Sequence, residues 1–200
     1  MKLSVQQLQR VYDPNDPNSG VKLQKVTNSI IEQIDALAKI ANEFSSFAKL
    51  PRPNELEIDL LPLLENVVEV FKESDNFHIS IQTELNNCLV MADKDLMLRV
   101  FNNLIKNAIQ AIPEERKGEI VISIEIEENN FIFKFKDNGV GIEEDKHSKI
   151  FVPYFTTKST GTGLGLAMVK QIIENHRGTI GFESEEGVGT EFWFSIPRIS

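Results

Sequence analysis

Two runs of alternating apolar residues lie side by side in this chain. Ile120, Ile122, Ile124 and Ile126 recur at every second position, followed by Phe131, Phe133 and Phe135. A period of two puts each set on one face of a strand. Glu127-Glu128-Asn129-Asn130 joins them, so the pair reads as an antiparallel hairpin with one face that water cannot solvate. Helices with apolar stripes are the natural cover. Lys94 to Ile112 predicts one, opened by Asp93 as cap and closed before Pro113, and Gly163 to His176 predicts another, ended by Arg177-Gly178. Pro62 to Phe71 reads as a third helix with proline in its first turn. His78 to Leu85 and Cys88 to Met91 read as short strands around an Asn-Asn turn, and 179–184 and 190–196 as two closing strands. Helices mixed with such strands predict an α+β sandwich: a mixed, mainly antiparallel sheet with helices on one face. An apolar fraction of 41%, including 13 Phe, is enough for its core.

The first 54 residues have a different texture. Leu3, Leu8 and Val11 or Tyr12 share a helical face, residues 13–20 (DPNDPNSG) break it, and 21–50 resume helical spacing through Val26, Ile30, Ile34, Leu37, Ala41, Phe44 and Ala48. A long helix with one apolar stripe needs a partner, so 1–54 reads as a helical hairpin with a short first arm and 55–200 as the globular domain. Charge divides the same way. The first part carries 7 Lys/Arg against 5 Asp/Glu, a net +2, and the remainder 14 against 25, a net −11, which together make the chain's −9. An acidic domain of this kind argues against gripping nucleic acid. One cysteine, Cys88, excludes a disulfide framework or cysteine zinc site. No apolar run reaches the roughly 20 residues of a membrane span, so the expectation is a cytoplasmic piece with no membrane contact of its own.

Three glycine clusters carry the chemistry: Asp137-Asn138-Gly139-Val140-Gly141, Gly161-Thr162-Gly163-Leu164-Gly165 and Gly187-Val188-Gly189-Thr190. Glycine lets backbone amides close on a ligand, and the second cluster runs into a helix N-terminus, where phosphate is favoured. Alone, such a run equally marks tight turns. A P-loop and a dinucleotide fingerprint are both excluded, since no Gly-x4-Gly-Lys-Ser/Thr occurs and Leu166 stands where the third glycine belongs. Asn103 and Asn107 lie four apart on one face of an otherwise apolar helix. Either they are solvated or packing asparagines, or their amide oxygens serve Mg²⁺ beside phosphates.

Taken in order, Asn103-Leu104-Ile105-Lys106-Asn107-Ala108, Asp137-Asn138-Gly139-Val140-Gly141-Ile142, Ile150-Phe151-Val152-Pro153-Tyr154-Phe155-Thr156-Thr157-Lys158, Gly161-Thr162-Gly163-Leu164-Gly165-Leu166 and Gly187-Val188-Gly189-Thr190 resemble the ATP-binding domain of bacterial two-component sensor histidine kinases. Phe44-Ser45-Ser46-Phe47-Ala48 with Pro51-Arg52-Pro53 is similar to the end of the dimerisation hairpin in the nitrogen-regulation type. The resemblance implies the Bergerat ATP fold shared with type II topoisomerases, mismatch-repair ATPases and large heat-shock chaperones. It implies ATP and Mg²⁺ as ligands, a response regulator as partner, and a homodimer through the hairpin. It also implies that Asp137 accepts the adenine amino group, Asn107 ligates Mg²⁺ and Asn103 sits beside it. Gly139 and Gly141 would let the chain pass close to the nucleotide. Gly161, Thr162, Gly163, Leu164 and Gly165 would form the lid over the phosphates. Lys158 is either a phosphate cation or a solvated lid residue. Phe151 and Phe155 would anchor the lid, and Thr190 would support the pocket.

In the hydrolysing relatives, the position matching Asn103 is a Glu that activates water. An amide cannot take that proton, so the resemblance implies a pocket that presents ATP to an outside nucleophile. In the family that nucleophile is a helical histidine. His78, His147 and His176 are not in that setting, and the expectation is that the chain begins just downstream of the acceptor and does not autophosphorylate alone. Other readings stay open: a hydrolase using Glu65, Glu69 or Asp95, though no motif supports them, a serine-directed kinase of the same fold, or a nucleotide-binding regulatory module.

Overall fold

The alternating runs pair as their pattern requires. In the computed structural model, which describes residues 18–48, 52–72, 76–157 and 161–199, the chain forms two units, residues 1–50 and 51–200. The first contributes a single described helix, α1 (Ser19–Ala48), along which Ile31, Ile34, Leu37, Ile40 and Phe44 are exposed. The expected first arm and turn, 1–17, lie outside the described residues.

The second unit runs β1 (Leu56–Asp59), α2 (Leu60–Phe71), β2 (Phe77–Gln82), β3 (Leu89–Ala92), α3 (Lys94–Ala111), β4 (Gly118–Glu127), β5 (Asn130–Asp137), α4 (Gly165–Asn175), β6 (Ile180–Glu185) and β7 (Gly189–Pro197). Five strands form one sheet in the order β2-β4-β5-β7-β6. The β2–β4 pair is parallel, and the other three pairs are antiparallel. Phe101 of α3 seals the sheet's inner face, its ring within 5.8–6.3 Å of Phe133, Phe135 and Phe194. All four rings are fully buried, and aromatic clusters of this size dominate core energetics.

Two expectations need correction. The runs around Asn86-Asn87 do not pair with each other. Instead β2 joins β4, and β3 pairs antiparallel with β1 in a separate two-stranded sheet. That small sheet is held by the cap of α2. One carboxylate oxygen of Asp59 accepts from Leu61 N at 3.0 Å and from Cys88 N at 2.8 Å, so the residue that starts the helix also fixes the entry to β3. Second, α4 begins at Gly165 rather than Gly163. Gly163 has φ +69°, which a helix cannot hold.

Candidate nucleotide site

Asp137 is the last residue of β5 and is only 4% exposed. The strand's alternation, Phe131, Phe133, Phe135, Asp137, points it to the same side as the core phenylalanines, so a carboxylate stands where a hydrophobe would be expected. Backbone holds it in place. Its Oδ1 accepts from Gly139 N at 2.8 Å and from Thr190 N at 3.3 Å. Thr190 is its register partner on β7 and is buried at 4%. The Thr190 hydroxyl lies 2.9 Å from Ser184 Oγ, which also donates to Gly189 O and accepts from Ile142 N. A single polar network thus joins the ends of β5, β6 and β7 with the start of the lid.

The glycines stand where side chains would not fit. A Cβ on Gly139 would come within 2.7 Å of Ala111 at the end of α3, and one on Gly163 within 2.5 Å of the Tyr154 backbone. Gly141, also at positive φ, lies against the Glu185 backbone. Gly161 and Thr162 precede Gly163, and the buried Leu164 caps α4.

Asn103 projects from α3 toward the start of α4. The Asn103 amide nitrogen donates back to Arg99 O at 2.8 Å, which turns its oxygen toward α4, where a Cβ added to Gly165 would meet it at 2.7 Å. Asn107 is half-buried one turn on. A neutral amide oxygen facing a helix N-terminus, with a second amide one turn on, is a donor set that suits a cation shared with phosphates. Among the described residues no group of three His, Cys, Asp or Glu could hold a metal unaided. Of the sequence-predicted residues, the structure joins Asp137, Gly139 and Thr190 directly, places Gly141 beside them against Glu185, and sets Gly163 against Tyr154 and Gly165 against Asn103. Lys158 lies outside the described residues.

The lid's base is apolar and ordered around Phe182. His147 stands edge-on to that ring at 5.0 Å, and its Nε2 bonds to Ile142 O at 3.0 Å. Phe151 packs edge-on against Phe182 and Phe192. Tyr154 N then donates to Gly163 O at 3.0 Å, closing the loop on itself. Sequence reasoning missed Ser184 and Arg116. Arg116 donates to the carbonyls of Asn138, Gly139 and Gly187. A serine in a strand and an arginine in a charged loop have no spacing that gives them away.

Residues 92–200 match the family model of histidine kinase-, DNA gyrase B- and HSP90-like ATPases, over half of the chain, and the chain belongs to that family. Within it, the sensor histidine kinase ZraS of Escherichia coli K12 is 33% identical over 199 residues, 97% of this chain and 42% of that protein. The nucleotide-free catalytic domain of histidine kinase ThkA is 35% identical with a TM-score of 0.66, covering 72% of this chain and 96% of that one. ThkA in complex with response regulator protein TrrA matches at 27% identity and TM-score 0.72, covering 98% of this chain and 55% of that one. The chain therefore carries the ATP-binding catalytic domain of a sensor histidine kinase. It spans less than half the length of the curated relatives it matches.

Proposed function

We propose that this domain binds Mg·ATP and presents its γ-phosphoryl group to a histidine of the whole protein, from which it passes to an aspartate of a response regulator. The observation that carries the reading is Asp137, a buried carboxylate fixed by two backbone amides at the end of a core strand. Such an acceptor reads the amino edge of adenine. A base without that amino group gives up this one hydrogen bond, at a cost of about 1–3 kcal/mol. The glycine run 161–165 and the N-terminus of α4 receive the phosphates with backbone amides.

Asn107, with Asn103 beside it, would hold Mg²⁺ together with the phosphates. The cation there supplies charge neutralisation for the transferring group. Asn103 cannot act as a general base, which supports transfer over hydrolysis. In the transfer the acceptor's ring nitrogen bonds to phosphorus, the bond from phosphorus to the β–γ bridging oxygen breaks, and ADP leaves.

The three histidines here are poor acceptors. His176 is buried with both ring nitrogens engaged, and His147 is held by Ile142 and Phe182. His78 sits on β2, at the opposite edge of the sheet from β6. The exposed apolar residues of α1 support a homodimer built through that helix. The ThkA–TrrA complex supports a response regulator as partner. The test is transfer in trans: [γ-³²P]ATP, this chain and a dimerisation hairpin bearing a histidine. Acid-labile label on the hairpin is expected. Steady phosphate release with no labelled hairpin would overturn the proposal.

A further inference from the structure

The loop between α3 and β4, Ile112 to Lys117, is short and charged, and one of its side chains crosses to the nucleotide end of the sheet. Arg116 donates through one guanidinium nitrogen to Asn138 O and to Gly139 O at 2.7 Å, and through the other to Gly187 O at 3.3 Å. These carbonyls come from both glycine turns that flank Asp137. We propose that Arg116 is a positioning residue for adenine recognition, acting through the Gly139 peptide on the Asp137 carboxylate. The inference rests on the reading of Asp137 given above.

The connection can be followed bond by bond. Asp137 Oδ1 is oriented by Gly139 N. The carbonyl of the same glycine is held by Arg116, and the next amide, Val140 N, donates to Ala111 O at 2.9 Å. Val140 O in turn accepts from Gly187 N at 2.7 Å, and Gly187 O returns to Arg116. Asn138 is locked into the same loop, its Nδ2 donating to Lys117 O at 3.0 Å and its Oδ1 accepting from Glu119 N at 2.9 Å. A guanidinium, with its donors in a fixed plane, can hold three carbonyls at once, whereas an ammonium holds fewer and with less directional control. Without it, the Gly139 peptide has lost its charged donor and the carboxylate loses its fixed aim.

The experiment measures Mg·ATP and Mg·GTP dissociation constants by calorimetry on the whole chain, with Arg116→Gln, Arg116→Lys and Asp137→Asn alongside, and the melting temperature of each. Arg116→Gln is expected to weaken ATP about tenfold with little change for GTP, so that the base preference shrinks. Arg116→Lys should retain part of it, and it carries the test if the glutamine variant does not fold. A preference equal to wild type in both variants, with Asp137→Asn losing it, would overturn the role of Arg116 alone. If Asp137→Asn also keeps the preference, the reading of Asp137 fails and this inference falls with it.

Discussion

The backbone N–H of Asp93 donates to Nε2 of His176 across 3.0 Å, while the Nδ1 of that histidine faces Ile172 O at 2.7 Å. Nδ1 therefore carries the proton and Nε2 accepts. The pair joins the start of α3 to the end of α4, the two helices that bring Asn103 and the glycine run together. The Asp93 side chain caps α3 through Asp95 N and Leu96 N, and also accepts from Asn54 N.

That cap makes stability pH-dependent at the acid end. Burial alone would push the Asp93 carboxyl up, but the amides of Asn54, Leu96 and Asp95 outweigh it and hold it below its ordinary 3.8. A depressed carboxylate stabilises the fold above its unfolded value, and the contribution is lost as pH falls through the folded one. Thermal melts of wild type and Asp93→Asn, which keeps a capping side chain, should differ at pH 7 and converge below about pH 4. A gap that stays constant down to pH 2 would contradict this.

Cys88 is fully buried, and burial followed by the nearby Asp59 pushes its thiol up to about 12. The thiolate is the reactive form, so a disulfide reagent at pH 8 should leave the native protein unmodified and titrate one thiol in denaturant. Because an unfolded thiol ionises near pH 9 and the folded one does not, stability should also decline as pH rises above about 9. Rapid labelling of the folded chain would count against the burial.

Two glycine-to-alanine changes should separate binding from folding. Among the described residues, what an added Cβ at Gly165 meets is the end of the Asn103 side chain. Gly165→Ala should thus fold normally, with melting temperature unchanged or slightly raised, and bind Mg·ATP more weakly. At Gly189 the Cβ would meet the Asp137 carbonyl at 2.1 Å, so Gly189→Ala should cost more than about 2 kcal/mol. Paired denaturation and nucleotide titrations check both.

Phe101→Ala should cost about 3–5 kcal/mol by leaving a cavity against three phenylalanines. Urea denaturation measures it. A loss below about 1 kcal/mol would mean that α3 is not seated on the sheet as described.

Much of the fold was legible because its strands are half-buried and alternate. β4, β5 and β7 follow their sequence pattern, and α3 starts and stops where Asp93 and Pro113 put it. The partner of β3 was not legible. β1 is four residues, Leu56–Asp59, too short for a period, while Asn86-Asn87 resembles a hairpin turn that the Asp59 cap overrides. In the site, Asp137 and Thr190 were visible through their glycines. Ser184 and Arg116 act through tertiary contacts that no local spacing encodes. Nothing around His176 in the sequence distinguishes a structural from a solvent-exposed role; it is buried, and Asp93 N at the cap of α3 donates to it.

The most direct test of the central claim follows Mg·ATP binding and phosphate release in one sample, with Asn107→Ala beside the wild type. Binding that the substitution weakens at least about tenfold, with almost no phosphate released, is the predicted result for a pocket that presents ATP to an external histidine. Sustained phosphate release by the wild type, or binding indifferent to Asn107, would contradict it.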